Sequence, residues 1–158
     1  TLPRSAMCCR HFRSIRRSSE EEHMTEDEAL ARFGLVPQKS DIPAVREVLA
    51  SQLVAAENEE DDSGLMKLSC IQLFSDGDVS NTMLIWEAKR SSFDNGINID
   101  VQLLCGAGVQ RTKEHLATIG SQDSADALQY ITECEVSGDF ERFTTEQILG
   151  YYRDYYGL

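Results

Sequence analysis

The sequence predicts an α+β fold in which a three-stranded antiparallel meander packs against helices, in the order α-α-β-β-β-α-α-α. Three apolar runs in the middle of the chain have the composition of strands, and short Gly-containing turns separate them. Helix-start signals stand on both sides of this region. A lone three-stranded sheet cannot cover its own apolar side, so the helices are expected to cover at least one of its faces.

Two helices are predicted before the sheet. Thr25 and Glu28 form a capping-box pattern, and the first helix then runs to Gly34. Ser40 or Asp41 begins the second helix, in which apolar residues at the helical spacing predict one buried face. These apolar residues are Val45, Val48, Leu49, Leu53 and Ala56. The acidic segment ENEEDDSG, residues 57–64, follows as a linker.

Three apolar runs are predicted to form the strands of the meander: residues 65–74, 79–89 and 97–105. Asp76-Gly77 and Asn95-Gly96 stand between the runs, where two-residue hairpin turns favour Asp-Gly and Asn-Gly. The middle strand is apolar on both sides and is expected to be covered on both faces. In the third strand apolar and polar residues alternate, which predicts one core face and one solvent face.

Three helices are predicted after the sheet. The first covers residues 109–120, and the second covers 124–134, beginning at Ser124 and ending near Gly138. The third is the C-terminal segment TEQILGYYRDYY, which a second capping box over residues 144–147 begins.

Length and composition predict one folded α+β domain over residues 24–158. A chain of 158 residues has room for one ordinary core, and 27% charged with 41% hydrophobic residues is typical of a globular protein. No apolar stretch approaches the roughly 18 residues that a membrane-spanning helix requires.

Residues 1–23 form a basic N-terminal tail of different composition. The first nineteen residues contain five Arg and no acid, and three Glu then precede His23 and Met24. We interpret the tail as vector-encoded or upstream-read sequence before a native Met24, because residue 1 is Thr. An organelle transit peptide, which is also rich in Arg and Ser, is the alternative interpretation.

A candidate metal site lies around the end of the predicted middle strand. On a strand Glu87 and Lys89 point to the same side, and Asp76 or Asp78 precedes them in the hairpin turn. Converging carboxylates can hold Mg²⁺ and generate a nucleophilic water, and a neighbouring Lys stabilises the charge that develops on a phosphate.

The stretch DGDVSNTMLIWEAK, residues 76–89, resembles the restriction-endonuclease-like (PD-D/ExK) nuclease superfamily. The resemblance implies a Mg²⁺-dependent nuclease whose catalytic residues are Asp76, Asp78, Glu87 and Lys89, with Glu47 as a further candidate ligand. Mg²⁺ is the one cofactor considered, and the sequence predicts it under this alternative alone.

The charge distribution favours a protein partner over a nucleic acid. The chain carries −12, and the five Arg and three Glu of residues 1–23 contribute +2, which leaves −14 on residues 24–158. Such a surface repels phosphate backbones and attracts basic partners.

The segment CGAGVQR, residues 105–111, is a candidate phosphate or small-ligand site. Gly106 and Gly108 lead into a predicted helix, whose first backbone N–H groups could bind an anion. Arg111 occupies the third glycine position of a dinucleotide-binding motif, so a tight turn that binds no ligand is the competing interpretation.

The C-terminal helix carries four of the five tyrosines of the chain. Tyr151 and Tyr155 form one stripe, and Tyr152 and Tyr156 form another about 100° away around the helix. One stripe is expected to pack on the core and the other to be exposed. Because Tyr is enriched at interfaces, these residues are predicted to bind a partner, including a second copy of the chain.

The five cysteines form no C-x-x-C pair and are odd in number, which predicts reduced thiols and a cytoplasmic location. Cys70, Cys105 and Cys134 are expected in the core.

The sequence therefore predicts an acidic protein-binding domain, in the manner of an immunity protein, an antitoxin or a secretion chaperone, that forms a homodimer. It favours a binding protein over an enzyme. The Mg²⁺-dependent nuclease and the small-ligand binder are the two alternatives.

Overall fold

The computed structural model describes residues 24–158, and the predicted basic tail, residues 1–23, lies outside this part. The described residues form eight α-helices: α1 Glu26–Phe33, α2 Ile42–Ala56, α3 Ser63–Asp76, α4 Thr82–Arg90, α5 Phe93–Asn98, α6 Val109–Ile119, α7 Gln122–Ser137 and α8 Thr145–Tyr156. Two 3-10 turns, Val79–Asn81 and Val101–Cys105, precede α4 and α6. None of these helices is both long and apolar enough to cross a membrane.

The predicted α+β fold is wrong, because residues 24–158 contain no strand and the fold there is entirely helical. The run at 65–74 lies in α3, and the run at 79–89 forms a 3-10 turn and most of α4. The run at 97–105 spans the end of α5 and the second 3-10 turn. A short apolar run fits a buried strand and a buried helix equally well, since neither shows a polar side.

Helix α3 is the centre of the structure. Nine of its 14 residues are buried, in a continuous run from Leu68 to Phe74 together with Leu65 and Met66. Helices α1, α2, α4, α5 and α8 all pack against it. A helix that is covered on every side carries no polar face, so the 3.6-residue periodicity that identifies a surface helix is missing from its sequence.

The two dipeptides predicted to be hairpin turns belong to helices. Gly77 ends α3 in the left-handed conformation, with φ 72°, and donates its N–H to the carbonyl of Phe74 at 3.1 Å. Asn95 and Gly96 lie inside α5, where Asn95 is buried. Gly favours helix ends as well as hairpins, so Asp76-Gly77 did not distinguish the two structures.

Several helix ends are confirmed. Thr25 and Glu28 form the capping box of α1, and Gly34 ends that helix. Helix α7 begins at Gln122, two residues before the predicted start, and Gly138 caps its end, near which it was predicted to end. In α8 one half of the predicted capping box is formed: the Thr144 hydroxyl accepts a hydrogen bond from the backbone N–H of Gln147.

The three cysteines of the described region are free thiols. Cys70 and Cys105 are buried, as expected, and burial raises the pKa of Cys105 to about 12. Cys134 on α7 is half-buried. The two buried thiols are therefore protonated at neutral pH and behave as small apolar core residues.

Candidate functional site

Glu87 and Lys89, the pair predicted to face one side of a strand, lie on helix α4 and point in different directions. Two residues on an α-helix differ by about 200° around its axis. Glu87 is accordingly exposed, whereas Lys89 is buried.

The two acids of the predicted metal site lie at the opposite end of α4 and have other partners. Asp76 forms an ion pair with Lys39, and its second oxygen accepts from the Asn81 amide at 3.0 Å. Asp78 accepts from the backbone N–H of Ser80 at 2.9 Å, and this hydrogen bond lowers the pKa of its carboxyl.

Within residues 24–158, no three His, Cys, Asp or Glu side chains are grouped to hold a metal ion. Glu47, the further candidate ligand, is exposed on α2. The structure therefore does not bring the four predicted nuclease residues together.

Lys89 instead fixes the position of α5. Its ammonium donates to the carbonyls of Gly96 at 2.5 Å and Ile99 at 2.6 Å, and it lies 5.5 Å from the centre of the Tyr130 ring. Burial lowers the pKa of Lys89, and the nearby carboxylate of Asp100 partly opposes this shift. The buried ammonium ties the end of α5 to α4.

The fold itself explains why glycine stands at both positions of the GAG segment. A Cβ on Gly106 would lie 2.4 Å from the carbonyl oxygen of Phe74, so a larger residue there would push α3 away. Gly108 has φ 94°, a conformation that residues with a side chain rarely adopt. The groove beside Gly108 is lined by Glu135 and Glu141, whose charges disfavour a phosphate.

The inner tyrosine stripe of α8 is part of the core. Tyr152 is fully buried and donates its hydroxyl hydrogen to Asp100, and Tyr156 donates to Glu26 at 2.8 Å. Burial and these carboxylate acceptors raise the pKa of both phenols. The two hydroxyls connect α8 to distant parts of the chain.

The outer stripe is exposed. Tyr151 and Tyr155 have 60% and 61% of their surface accessible, and the Lys67 ammonium lies 5.2 Å from the centre of the Tyr155 ring. Of the four tyrosines predicted to bind a partner, the structure thus leaves these two on the surface.

Two neighbouring grooves lined by acidic residues were not predicted. A groove of about 550 Å³ lies between the end of α2, α4 and the start of α7, and a second of about 680 Å³ lies between the α2–α3 connection and α5. The two adjoin, because they share the lining residues Ala56, Glu57 and Ser91, and we term them together the acidic trough.

Carboxylates dominate the acidic trough. Six acidic residues line it: Glu57, Glu59, Asp61, Glu87, Asp94 and Asp123. Arg90 is the one basic residue among the lining residues, and it pairs with Asp123 at 3.0 Å. The trough therefore carries a strong negative charge that its own lining residues do not balance.

The trough also has an apolar part. Leu53 of α2 and Met83, Leu84 and Trp86 of α4 line the 550 Å³ groove. At the other end, the exposed Phe93 ring lines the 680 Å³ groove, and the exposed Ile97 lies one turn further along α5, outside the lining. A partner segment with both basic and apolar side chains would match this surface.

The acidic residues that follow the end of α2 are electrostatically unfavourable for the helix itself. Glu57, Glu59 and Glu60 follow the last turn of α2, and that turn contains no basic residue. The C-terminus of a helix favours cations over anions. Glu59 in addition has φ 59°, the left-handed conformation that favours glycine.

Two residues of the trough contain buried polar atoms without a partner. Among the described residues, three buried side-chain polar atoms have no hydrogen-bond partner, and two of them are the Trp86 Nε1 and the Asn95 Oδ1. Both residues line the trough. Buried polar groups are normally paired, so these two atoms beneath the lining of the trough are a donor and an acceptor that the described residues leave unused.

Sequence reasoning missed this site for a specific reason. The segment ENEEDDSG was interpreted as a linker, and Asn95 as part of a hairpin turn. A run of acids placed directly after a helix, against its dipole, was the signal that could have indicated a binding surface.

No protein-family model, no curated protein and no solved structure matches this chain, and its function is therefore inferred from the residues of the acidic trough.

Proposed function

We propose that the chain is a protein-binding domain and that the acidic trough takes a basic, amphipathic segment of a partner protein. One observation carries the proposal: six carboxylates and a single, already paired arginine line two adjoining grooves that also have an apolar part. Charge complementarity of this kind steers a basic partner to the surface, and apolar anchors then hold it.

The unfavourable placement of the acids supports a binding role. Five of them, Glu57, Glu59, Asp61, Glu87 and Asp94, form no ion pair with another described residue, so they do not stabilise the fold by that route. Local features that oppose folding are expected at functional sites.

The size of the trough fits a peptide segment. The adjoining grooves of about 550 and 680 Å³ are together larger than the pocket of about 300–1,000 Å³ in which one small ligand usually binds. An amphipathic helix that places Leu-like side chains against Leu53 and Met83 would direct its basic residues to the carboxylates on the rim.

The test uses a short synthetic amphipathic peptide of Lys and Leu that contains no Trp. Trp86 is the single Trp of the chain and lines the trough, so its fluorescence reports binding there. We expect binding that weakens as salt rises from about 0.1 M to about 1 M, because the screening length falls from about 10 Å to about 3 Å. The control peptide has Glu in place of every Lys and should not bind.

A triple variant, Glu57→Gln with Glu59→Gln and Glu87→Gln, locates the interaction. Exposed ion pairs contribute about 0.2–1 kcal/mol each, so their loss should weaken binding roughly 3- to 100-fold. The matched control neutralises three exposed acids outside the trough, Glu114, Glu133 and Glu146, and should bind as the wild type does. Equal weakening in both variants would refute a role for the trough.

Self-association is a second proposal, for which the exposure of Tyr151 and Tyr155 is the supporting observation. Two rings one helical turn apart give a small, self-complementary aromatic surface. The narrower classes predicted from size and charge, immunity protein, antitoxin or chaperone, stay predictions, as does the cytoplasmic location. We propose no nuclease activity, because Glu87 and Lys89 point in different directions.

A further inference from the structure

We propose that the α5 end of the acidic trough is a socket for one arginine side chain of the partner, in which the Asn95 Oδ1 accepts a hydrogen bond from the guanidinium group. This inference rests on the proposed function and names the side chain that the partner must supply. It concerns the 680 Å³ groove between the α2–α3 connection and α5.

Asn95 provides the acceptor. The residue is 1% exposed and lines the groove. Its Nδ2 group donates to the Asp61 carboxylate at 3.0 Å and to the Ser91 hydroxyl at 2.9 Å, so both amide hydrogens are in use. A reversed amide would set its oxygen against the Asp61 carboxylate, which fixes the identity of the two atoms. The Oδ1 is left without a donor among the described residues.

The donor that completes this site has to come from outside the groove and to be cationic. None of the residues that line the 680 Å³ groove is basic, and four of them are acids: Glu57, Glu59, Asp61 and Asp94. A neutral donor would satisfy the Asn95 oxygen but leave these charges unbalanced. An ammonium or a guanidinium satisfies both.

Phe93 favours a guanidinium over an ammonium. Its ring is 83% exposed and lines the same groove as Asn95 and Asp94. A planar guanidinium can stack on an aromatic face while its several N–H groups reach an amide oxygen and a carboxylate together, which a lysine ammonium does less well.

The socket is held in place by the helix that carries it. The Ser92 hydroxyl accepts from the Asn95 backbone N–H at 3.1 Å and caps α5, and the buried Lys89 ammonium binds the carbonyls at the other end of that short helix. The Oδ1 itself is buried, so a side chain that lines the groove has to move aside for the guanidinium to reach it, while the acceptor stays fixed.

The test compares two amphipathic peptides that differ in one respect: every basic position is Arg in one and Lys in the other. We expect the Arg peptide to bind the wild type on the order of tenfold more tightly. In Phe93→Leu, which keeps an apolar side chain on an exposed site, the Arg preference should disappear. Ile97→Leu, a change one turn along the exposed face of α5, is the matched control and should retain it.

A second readout follows Asn95 directly. In ¹H–¹⁵N spectra of the full chain, the side-chain amide signals of Asn95 should shift when N-acetyl-arginine methylamide is added, and should not shift with its uncharged citrulline analogue. This measurement does not depend on a variant that could fail to fold.

The outcomes separate the two proposals. Equal affinity of the Arg and Lys peptides, both weakened by the Glu57, Glu59 and Glu87 triple variant, would overturn the socket and leave the trough as the binding site. An Arg preference that survives in Phe93→Leu, with unmoved Asn95 signals, would also overturn it. If neither peptide binds, the proposed function fails as well.

Discussion

The substitution Glu59→Gly should make the protein more stable and a weaker binder. Glu59 has φ 59° and follows the last turn of α2, so glycine relieves the left-handed backbone and removes a negative charge from a helix C-terminus. A left-handed residue costs about 1–2 kcal/mol, and the flexibility of glycine in the unfolded chain offsets about 0.5–1 kcal/mol of that. The removed charge adds about 0.3–1 kcal/mol.

The expected gain is therefore about 1–2 kcal/mol. For a chain of this length 1 kcal/mol shifts the Tm by about 2–4 °C, so Glu59→Gly should melt roughly 3–6 °C above the wild type. Calorimetry gives the Tm and urea unfolding gives the free energy. The affinity for the Lys and Leu peptide, measured by Trp86 fluorescence, should fall at the same time, because a carboxylate of the trough is lost.

Two comparisons separate the causes. Glu59→Gln removes the charge and keeps the backbone strain, so it should gain the electrostatic part alone. Arg142 is the other non-glycine residue of the described chain with positive φ, at 61°, and it does not line the trough. Arg142→Gly should gain the backbone part and bind the peptide as the wild type does. A Glu59→Gly protein that is no more stable, or that binds equally well, would refute this reasoning.

Three further predictions concern the rest of the structure. Tyr152 and Tyr156 have raised pKa values, so the stability they contribute is complete below the ordinary Tyr value of about 10 and is lost as pH rises above it. The free energy of unfolding in urea should fall near pH 11, and it should fall less in Tyr152→Phe. A fall of the same size in that variant would contradict the prediction. Lys89→Met should lower the free energy of unfolding by about 1–3 kcal/mol, because the carbonyls of Gly96 and Ile99 lose their donor. Fast hydrogen exchange should then appear first in α5. Uniform exchange would count against the anchoring role of Lys89. The double change of Tyr151 and Tyr155 to Ser should keep the circular dichroism of the wild type. If these rings mediate self-association, light scattering should show a smaller mass for this variant. An unchanged mass would exclude the two rings as the contact between copies.

The ends of several helices could be predicted because their signals are local. The capping box of Thr25 and Glu28 and the terminating Gly34 and Gly138 depend on a few neighbouring residues, and the structure forms them as expected. Such patterns identify where a helix begins or ends without knowledge of the rest of the fold.

The central helix could not be identified in this way. Helix α3 is covered by five other helices, so apolar residues occupy all of its sides and no periodicity distinguishes it from a strand. Ile97 is exposed, although an alternating strand over residues 97–105 would have placed it in the core. That run instead forms the end of α5 and a 3-10 turn.

The candidate site could not be predicted from the sequence, because its residues come together only when the helices pack. Its residues come from the end of α2, from α4, from α5 and from the start of α7. Glu87 was predicted to face the same side as Lys89 in a metal site, but on a helix it points away from Lys89 and lines the trough. The direction of a side chain depends on the secondary structure, and the strand interpretation reversed it.

The most direct test of the central claim is a map of the peptide-binding surface by ¹H–¹⁵N spectroscopy. On addition of the Lys and Leu peptide, the account predicts that backbone amide shifts concentrate in residues 53–61, 83–95 and 123, which surround the acidic trough. Shifts that instead concentrate on α8 around Tyr151 and Tyr155, or that scatter over every acidic surface, would contradict the trough as the binding site.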